Sequence, residues 1–181
     1  MMSKSPGMKS VHLIAAIDSM GGIGKHGTLP WNFKEDMKYF KNLTRGAGDN
    51  AVIMGRKTFQ SLNCVPLAYR KNIVLSRSVE IHHKYHNPKK GVIVVPDIGE
   101  ALQYVDEHHF DDIWVIGGNQ VYADFLNDFP HRIRHIYVTH ITSDYDCDVF
   151  FPTIPPNFTV QRLHHTVDNE ILLKFKIYGK E

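Results

Sequence analysis

The chain has 181 residues, 43% of them hydrophobic and 22% charged, which is enough for one well-buried core and short for two domains. Lys and Arg number 21 against 19 Asp and Glu. With no run of five basic residues, neither a nucleic-acid surface nor an acidic-membrane surface has electrostatic support, and small-molecule chemistry is favoured. The two distant cysteines, Cys64 and Cys147, make neither a disulfide framework nor a zinc knuckle and fit free thiols in a reducing cytosol.

Residues 1–10 are polar and read as a flexible extension ahead of a single domain over 11–181. The apolar run Val11 to Ile17 is broken by His12 and followed by Asp18. It is too short and too polar for a signal segment, and no later stretch is long enough to span a membrane. A soluble, cytoplasmic protein is expected. Met20 to Gly27 is a glycine-dense stretch that suits either a mobile lid over a site or a plain surface loop. A helical pattern follows over 33–44. Apolar runs at Ala51 to Met54, Asn72 to Leu75, Val92 to Val95 and Ile113 to Ile116 then alternate with helical patterns at Lys57 to Leu62, Ile98 to Val105 and Asn119 to Phe125. Short Val- and Ile-rich runs without clean alternation read as strands covered on both faces, so the expected class is α/β: a mostly parallel sheet with helices on both faces. Ile133 to Ile141, Phe158 to His164 and Ile171 to Tyr178 are longer and alternate better. With turn signals at Ser143-Asp144 and Val167-Asp168-Asn169, they bring the expected strands to eight and predict an antiparallel C-terminal edge.

Within the 33–44 helix, Phe33, Asp36, Met37, Phe40 and Leu43 share one stripe while Lys34, Glu35, Lys38 and Lys41 face away. Asp36 is therefore a carboxylate where a leucine would stabilise more. Burying an ionised carboxylate without a partner is costly, so Asp36 calls for a cationic or hydrogen-bonding mate. Two readings are open: the mate is a ligand, or it is an arginine or turn of the chain itself.

In open α/β sheets ligands bind beyond the carboxyl ends of the parallel strands. Three such ends carry Gly55-Arg56-Lys57-Thr58, Ser76-Arg77-Ser78 and Gly117-Gly118-Asn119-Gln120. Glycines admit close approach of a phosphate, and Arg56, Lys57 and Arg77 at adjacent ends form a polyanion receptor that suits a phosphorylated nucleotide such as NADPH. Each cation taken alone also reads as an ordinary solvated side chain. Gly117-Gly118-Asn119-Gln120-Val121-Tyr122 is not G-x-G-x-x-G, and Gly24-Lys25 lacks the upstream glycine of a P-loop, which excludes both standard nucleotide motifs. The histidines of His82-His83-Lys84-Tyr85-His86 have no carboxylate or cysteine at ligand spacing and read as solvated loop residues, so no metal is expected.

The stretches Ile14-Ala15-Ala16, Gly22-Ile23-Gly24 with Leu29-Pro30-Trp31, Asp36 to Phe40, Ile53 to Phe59, Ile73 to Arg77, Ile116-Gly117-Gly118 with Val121-Tyr122, and Thr139-His140-Ile141 followed by Phe151-Pro152 occur in characteristic order and spacing. From Val11 to Tyr178 the chain resembles the dihydrofolate reductase family. The resemblance implies hydride transfer from NADPH to carbon 6 of 7,8-dihydrofolate with protonation at nitrogen 5, supplying tetrahydrofolate for one-carbon metabolism. It implies that Asp36 binds the 2-amino group and ring nitrogen 3 of the pterin with support from Thr139. Ile14, Ala16, Met37, Phe40 and Leu62 would line the pterin and benzoyl pocket, and Arg70 would grip the glutamyl α-carboxylate. Ala16, Ile23, Gly24, Ile116, Gly117, Gly118 and Val121 match the nicotinamide and pyrophosphate side, where the paired glycines are expected to carry a cis peptide. Lys57 and Thr58 match pyrophosphate contacts, and Arg56, Ser76 and Arg77 match contacts around the adenosine and its 2′-phosphate. Phe59 stands in place of a frequent tryptophan. A monomer open to antifolate inhibitors, without nucleic-acid or membrane partners, is implied as well. The competing readings are a pyrimidine reductase of riboflavin biosynthesis, which need not keep an acid at 36 with an arginine at 70, and a non-catalytic nucleotide- or RNA-binding relative.

Overall fold

The computed structural model describes residues 7–181, so residues 1–6 of the expected extension lie outside the described residues. In chain order the elements are β1 (Val11–Ile17), β2 (Gly22–Gly24), α1 (Lys34–Arg45), β3 (Asn50–Gly55), α2 (Arg56–Ser61), β4 (Arg70–Leu75), α3 (Val79–Tyr85), β5 (Val92–Val95), α4 (Ile98–Glu107), β6 (Ile113–Val115), α5 (Asn119–Asp128), β7 (Ile133–Ile141), β8 (Val149–Phe150), β9 (Phe158–Asp168) and β10 (Ile171–Lys180). Eight strands form one sheet in the order β5-β4-β3-β6-β1-β7-β10-β9, and β2 pairs with β8 in a separate ribbon.

The five continuous apolar runs are the parallel strands β1, β3, β4, β5 and β6, as expected for strands buried on both faces. One face packs against α4 and α5 through Ile98, Leu102, Val105, Val121, Phe125 and Leu126. The other carries Ile14, Val52, Met54, Val74 and Trp114 and is covered by Phe40 and Leu43 of α1, Phe59 of α2, and Ile81 and Tyr85 of α3. Phe59 is 1% exposed and Phe125 is 0% exposed; truncating either to alanine costs about 3–5 kcal/mol. Local signals agree with this packing. Asp97 caps α4 by accepting from the Glu100 amide at 2.9 Å, the arrangement that an acid followed by Glu at the third position predicts.

Three features differ from the sequence reading. The His82 to His86 stretch is part of a helix and its C-terminal cap, because Ile81 and Tyr85, one turn apart, bury against the sheet and Ser78 caps the start; a helix this short has too few apolar positions to declare its period. The expected antiparallel C-terminal edge is present, with β7 antiparallel to β10 and β10 antiparallel to the edge strand β9, but β7 is parallel to β1 on its other side. The alternation along β7 reflects Arg134, His135, Tyr137 and His140, which are exposed or half-buried between buried neighbours. Met37, expected on the buried stripe of α1, is 61% exposed.

Candidate active site

Trp31 and Phe33 bury with Ile141, Leu173 and Phe175 and fix the chain just ahead of α1. Phe33 offers no capping side chain, so the helix is capped from a distance: the Asp168 carboxylate at the end of β9 accepts from the Glu35 amide at 2.9 Å. This sets Asp36 half-buried against the sheet. Burial raises its pKa, and the Thr139 hydroxyl beside it pulls part of the way back. No lysine or arginine pairs with it among the described residues, so the reading that gives Asp36 an arginine partner finds no counterpart. Thr139 is 3% exposed and lies opposite Ala16 in the β1–β7 register, with Ile14 opposite Tyr137 two pairs earlier. Ile14, Phe40, Leu62 and Ile116 belong to one apolar cluster above the same sheet face. Tyr39, one turn along α1, has its hydroxyl pushed up to about 12, first by burial and then by Tyr137 and Asp36. The acid is thus surrounded by apolar walls, tyrosines that stay neutral, and one hydroxyl.

Arg70 opens β4, at the opposite end of that strand from Ser76 and Arg77. Its Nη1 donates to Thr44 Oγ1 at 2.9 Å and its Nε to the Ala68 carbonyl at 3.0 Å. Burial and then neighbouring Arg45 lower its pKa, while Arg45 stacks over the Tyr69 ring at 4.1 Å. Neither arginine has a carboxylate partner among the described residues. Two adjacent guanidinium groups repel, which leaves this corner complementary to an anion.

The three strand ends converge as expected. Gly117-Gly118, between β6 and α5, carries a cis peptide. The Gly55 amide donates to the Gly117 carbonyl at 2.8 Å and the Ile116 amide to the Ile53 carbonyl at 2.9 Å, tying the ends of β3 and β6 together. A Cβ on Gly55 would come within 3.2 Å of Val121 Cγ2 and below 4 Å of the Gly117-Gly118 backbone, so glycine keeps this junction open. Tyr122, one turn into α5 and fully buried, donates its hydroxyl to the Ile14 carbonyl at 2.6 Å, which locks β1 to the same junction. The residue pair Val121-Tyr122 belongs to the recognisable motif, yet nothing in the sequence assigns its hydroxyl this partner. Arg56 and Lys57 are exposed at the start of α2, and Thr58 Oγ1 lies 3.5 Å from the place a Gly118 Cβ would occupy. In the β3–β4 register Gly55 lies opposite Leu75, so Ser76 and Arg77 follow immediately alongside. A cavity of about 230 Å³ opens there, lined by Ser76, Arg77, Ser78, Val79, His82 and Pro96.

Ile23 and Gly24 lie in β2, where the glycine-dense stretch pairs with β8. Asp18, at the end of β1, organises this segment: its carboxylate accepts from the amides of Met20, Gly22 and Tyr145 at 2.9, 2.7 and 3.1 Å. Burial alone would raise its pKa, but these backbone amides and the Cys147 thiol outweigh burial and lower it. Cys147 is pushed up to about 11 by burial and by Asp18, and Gly22 is required because a Cβ would collide with the Cys147 side chain. Lys25 pairs with Asp146 at 2.9 Å and the His26 amide donates to Asp148. Neither Asp18 nor Cys147 stands out from sequence, since their partners lie far away along the chain.

Among the described residues no group of three or more His, Cys, Asp or Glu could hold a metal ion, and no helix is long and apolar enough to cross a membrane. The family model described as dihydrofolate reductase matches residues 10–180. The dihydrofolate reductase of Aedes albopictus is 34% identical over 189 aligned positions, covering 96% of this chain and 98% of the relative. Those of Drosophila melanogaster and Heliothis virescens are 37% and 36% identical, covering 83% and 88% of this chain and 84% and 85% of theirs. With an acid that lies against Thr139 and pairs with no cation among the described residues, a glycine junction at three strand ends and a match along nearly its whole length, the chain belongs to the dihydrofolate reductase family.

Proposed function

We propose that NADPH, held along the ends of β3, β4 and β6, supplies the hydride with which this enzyme reduces 7,8-dihydrofolate to tetrahydrofolate. The observation that carries the reading is Asp36: a half-buried carboxylate joined to Thr139 and to no cation among the described residues, on the sheet face that leads to the Gly117-Gly118 junction. The cofactor side fits the group. Gly55 leaves the junction open to a backbone-hugging ligand, and Arg77 lines a cavity beside it with no carboxylate partner among the described residues. Gly117, Gly118, Ala16, Ile23, Gly24, Ile116 and Val121 would then hold the nicotinamide and pyrophosphate, with Lys57 and Thr58 on the pyrophosphate and Arg56, Ser76 and Arg77 on the phosphorylated adenosine. When bound, NADPH contributes the hydride delivered to carbon 6.

The chain's own residues do the rest. Asp36 accepts hydrogen bonds from the 2-amino group and nitrogen 3 of the pterin, and Thr139 orients its carboxylate. Ile14, Ala16, Phe40, Leu62 and the exposed Met37 wall the ring and benzoyl group, excluding water from the reacting faces. Because burial raises the Asp36 pKa, a proton is held in the site to higher pH than a solvated aspartate would hold it, which supports protonation at nitrogen 5. Arg70 takes the glutamyl α-carboxylate. A cytoplasmic monomer, open to antifolate inhibitors, completes the reading, and the unpaired Cys64 and Cys147 suit a reducing compartment. A pyrimidine reductase of riboflavin biosynthesis would have no use for Asp36 together with Arg70, and the family match does not favour it. Absorbance at 340 nm tests the proposal. Oxidation of NADPH should require dihydrofolate and exceed that of NADH; oxidation independent of folate, or equal with both nucleotides, contradicts it.

A further inference from the structure

The helix α3 carries His82 to the cavity at the end of β4, beside Arg77. We propose that His82 is a further recognition residue for the cofactor's 2′-phosphate, acting with Arg77; the inference rests on the cofactor reading above.

The cavity lining contains donors and no carboxylate. Ser76 Oγ accepts from the Ser78 amide at 3.2 Å, and Ser78 Oγ accepts from the Ile81 amide at 3.3 Å, so each hydroxyl has its proton left to give. The Arg77 guanidinium and the His82 imidazole complete the polar lining, while Val79 and Pro96 form the apolar remainder. A lining that offers hydrogens from several directions around one permanent cation is complementary to a compact anion with several acceptor oxygens, which is the chemistry of a phosphate monoester. His82 is held in place for this. Its amide donates to the Ser78 carbonyl at 3.0 Å, so it stands one turn above the cap, on the cavity side. Its ring stacks on that of His86 with centroids 4.5 Å apart and planes 18° from parallel. His86 is itself anchored, since its Nδ1 accepts from the Val94 amide at 3.1 Å and β5 is the outermost strand, where that amide has no further strand to pair with. Held by this bond, the His86 ring presents its face to His82. Stacking removes rotamer freedom before any ligand arrives, which lowers the entropic cost of binding.

The test is a titration of the full chain with NADPH and with NADH, followed by quenching of tryptophan fluorescence, for the parent, His82→Ala, His82→Gln, His83→Ala and Arg77→Ala. His82→Ala should weaken NADPH about 5- to 10-fold and change NADH less than about 2-fold, the range for loss of one charge-assisted contact at an open site. His82→Gln, which keeps a donor, should recover part of the loss, and His83→Ala, outside the cavity, should match the parent. If Arg77→Ala loses NADPH selectively while His82→Ala does not, or loses both nucleotides alike, the His82 inference is overturned and the cofactor reading stands. If the parent itself binds NADPH and NADH equally, both fall together.

Discussion

Asp36→Asn changes charge with almost no change of shape, and it should affect stability and turnover in opposite directions. Burial raises the Asp36 pKa in the native protein, so the folded state binds that proton more tightly than the unfolded chain does. Stability then falls as pH rises from the unfolded value, roughly 3.9, through the higher native value, and the penalty is fully present above it. An amide has no charge to desolvate. At pH 7 the variant should therefore be more stable than the parent by about 1 kcal/mol, the scale for a half-buried polar group. For a chain of this size that is a rise of about 2–4 °C in Tm, and the difference should shrink below about pH 4, where the parent carboxyl is protonated in both states. Turnover should drop about 100-fold or more, because the amide neither carries the proton nor accepts from both pterin donors. The parent's rate should decline with rising pH as Asp36 loses its proton, and the variant's residual rate should not follow that decline. Thermal melts at several pH values and steady-state NADPH oxidation check both halves. Near-normal turnover at pH 7 would remove Asp36 from the chemistry, and a variant less stable than the parent at pH 7 would refute the account of its burial.

Three further outcomes are expected. Arg70→Gln should weaken dihydrofolate about 10-fold or more but leave binding of dihydropteroate, which lacks the glutamyl tail, unchanged; equal losses would detach Arg70 from the carboxylate. Tyr122→Phe removes the buried 2.6 Å bond to the Ile14 carbonyl and should cost about 1–3 kcal/mol in urea unfolding, whereas an unchanged midpoint would mean the carbonyl is satisfied elsewhere. Glu170→Gly should stabilise by about 0.5–1 kcal/mol: Asn169 and Glu170 turn the β9–β10 hairpin with φ of 49° and 64°, a geometry in which glycine at the second position is preferred. A lower Tm in that variant would contradict the turn assignment.

The parallel strands were legible because Val92 to Val95 and its counterparts are continuous apolar runs, a pattern that needs cover on both faces. Asp36 was legible because a carboxylate on an apolar stripe is energetically out of place. Arg56, Lys57 and Arg77 could be grouped from sequence because the doubly wound arrangement brings strand ends together. What was missed depends on partners distant in the chain: Asp168 capping α1, Tyr122 reaching Ile14, and Asp18 gathering the amides of Met20, Gly22 and Tyr145. Composition and periodicity carry no record of such pairings. The helix α3 escaped because its two anchoring side chains, Ile81 and Tyr85, are too few to set a period, and with it went the placement of His82 beside Arg77. Met37 lies on the apolar stripe by spacing yet is exposed, because helical period alone does not tell a position that meets the sheet from one that meets solvent.

Isotope transfer follows the proposed passage of a hydride from NADPH to carbon 6 of dihydrofolate atom by atom. Purified protein would be given 7,8-dihydrofolate with NADPH deuterated at both positions of nicotinamide carbon 4, in ordinary water, and the product examined by mass spectrometry and proton NMR. The product should be tetrahydrofolate carrying one deuterium, located at carbon 6, and when the label is supplied only through heavy water the product should carry none at its carbon-bound positions. Tetrahydrofolate without cofactor-derived deuterium at carbon 6, or oxidation of NADPH with dihydrofolate returned unchanged, would contradict it.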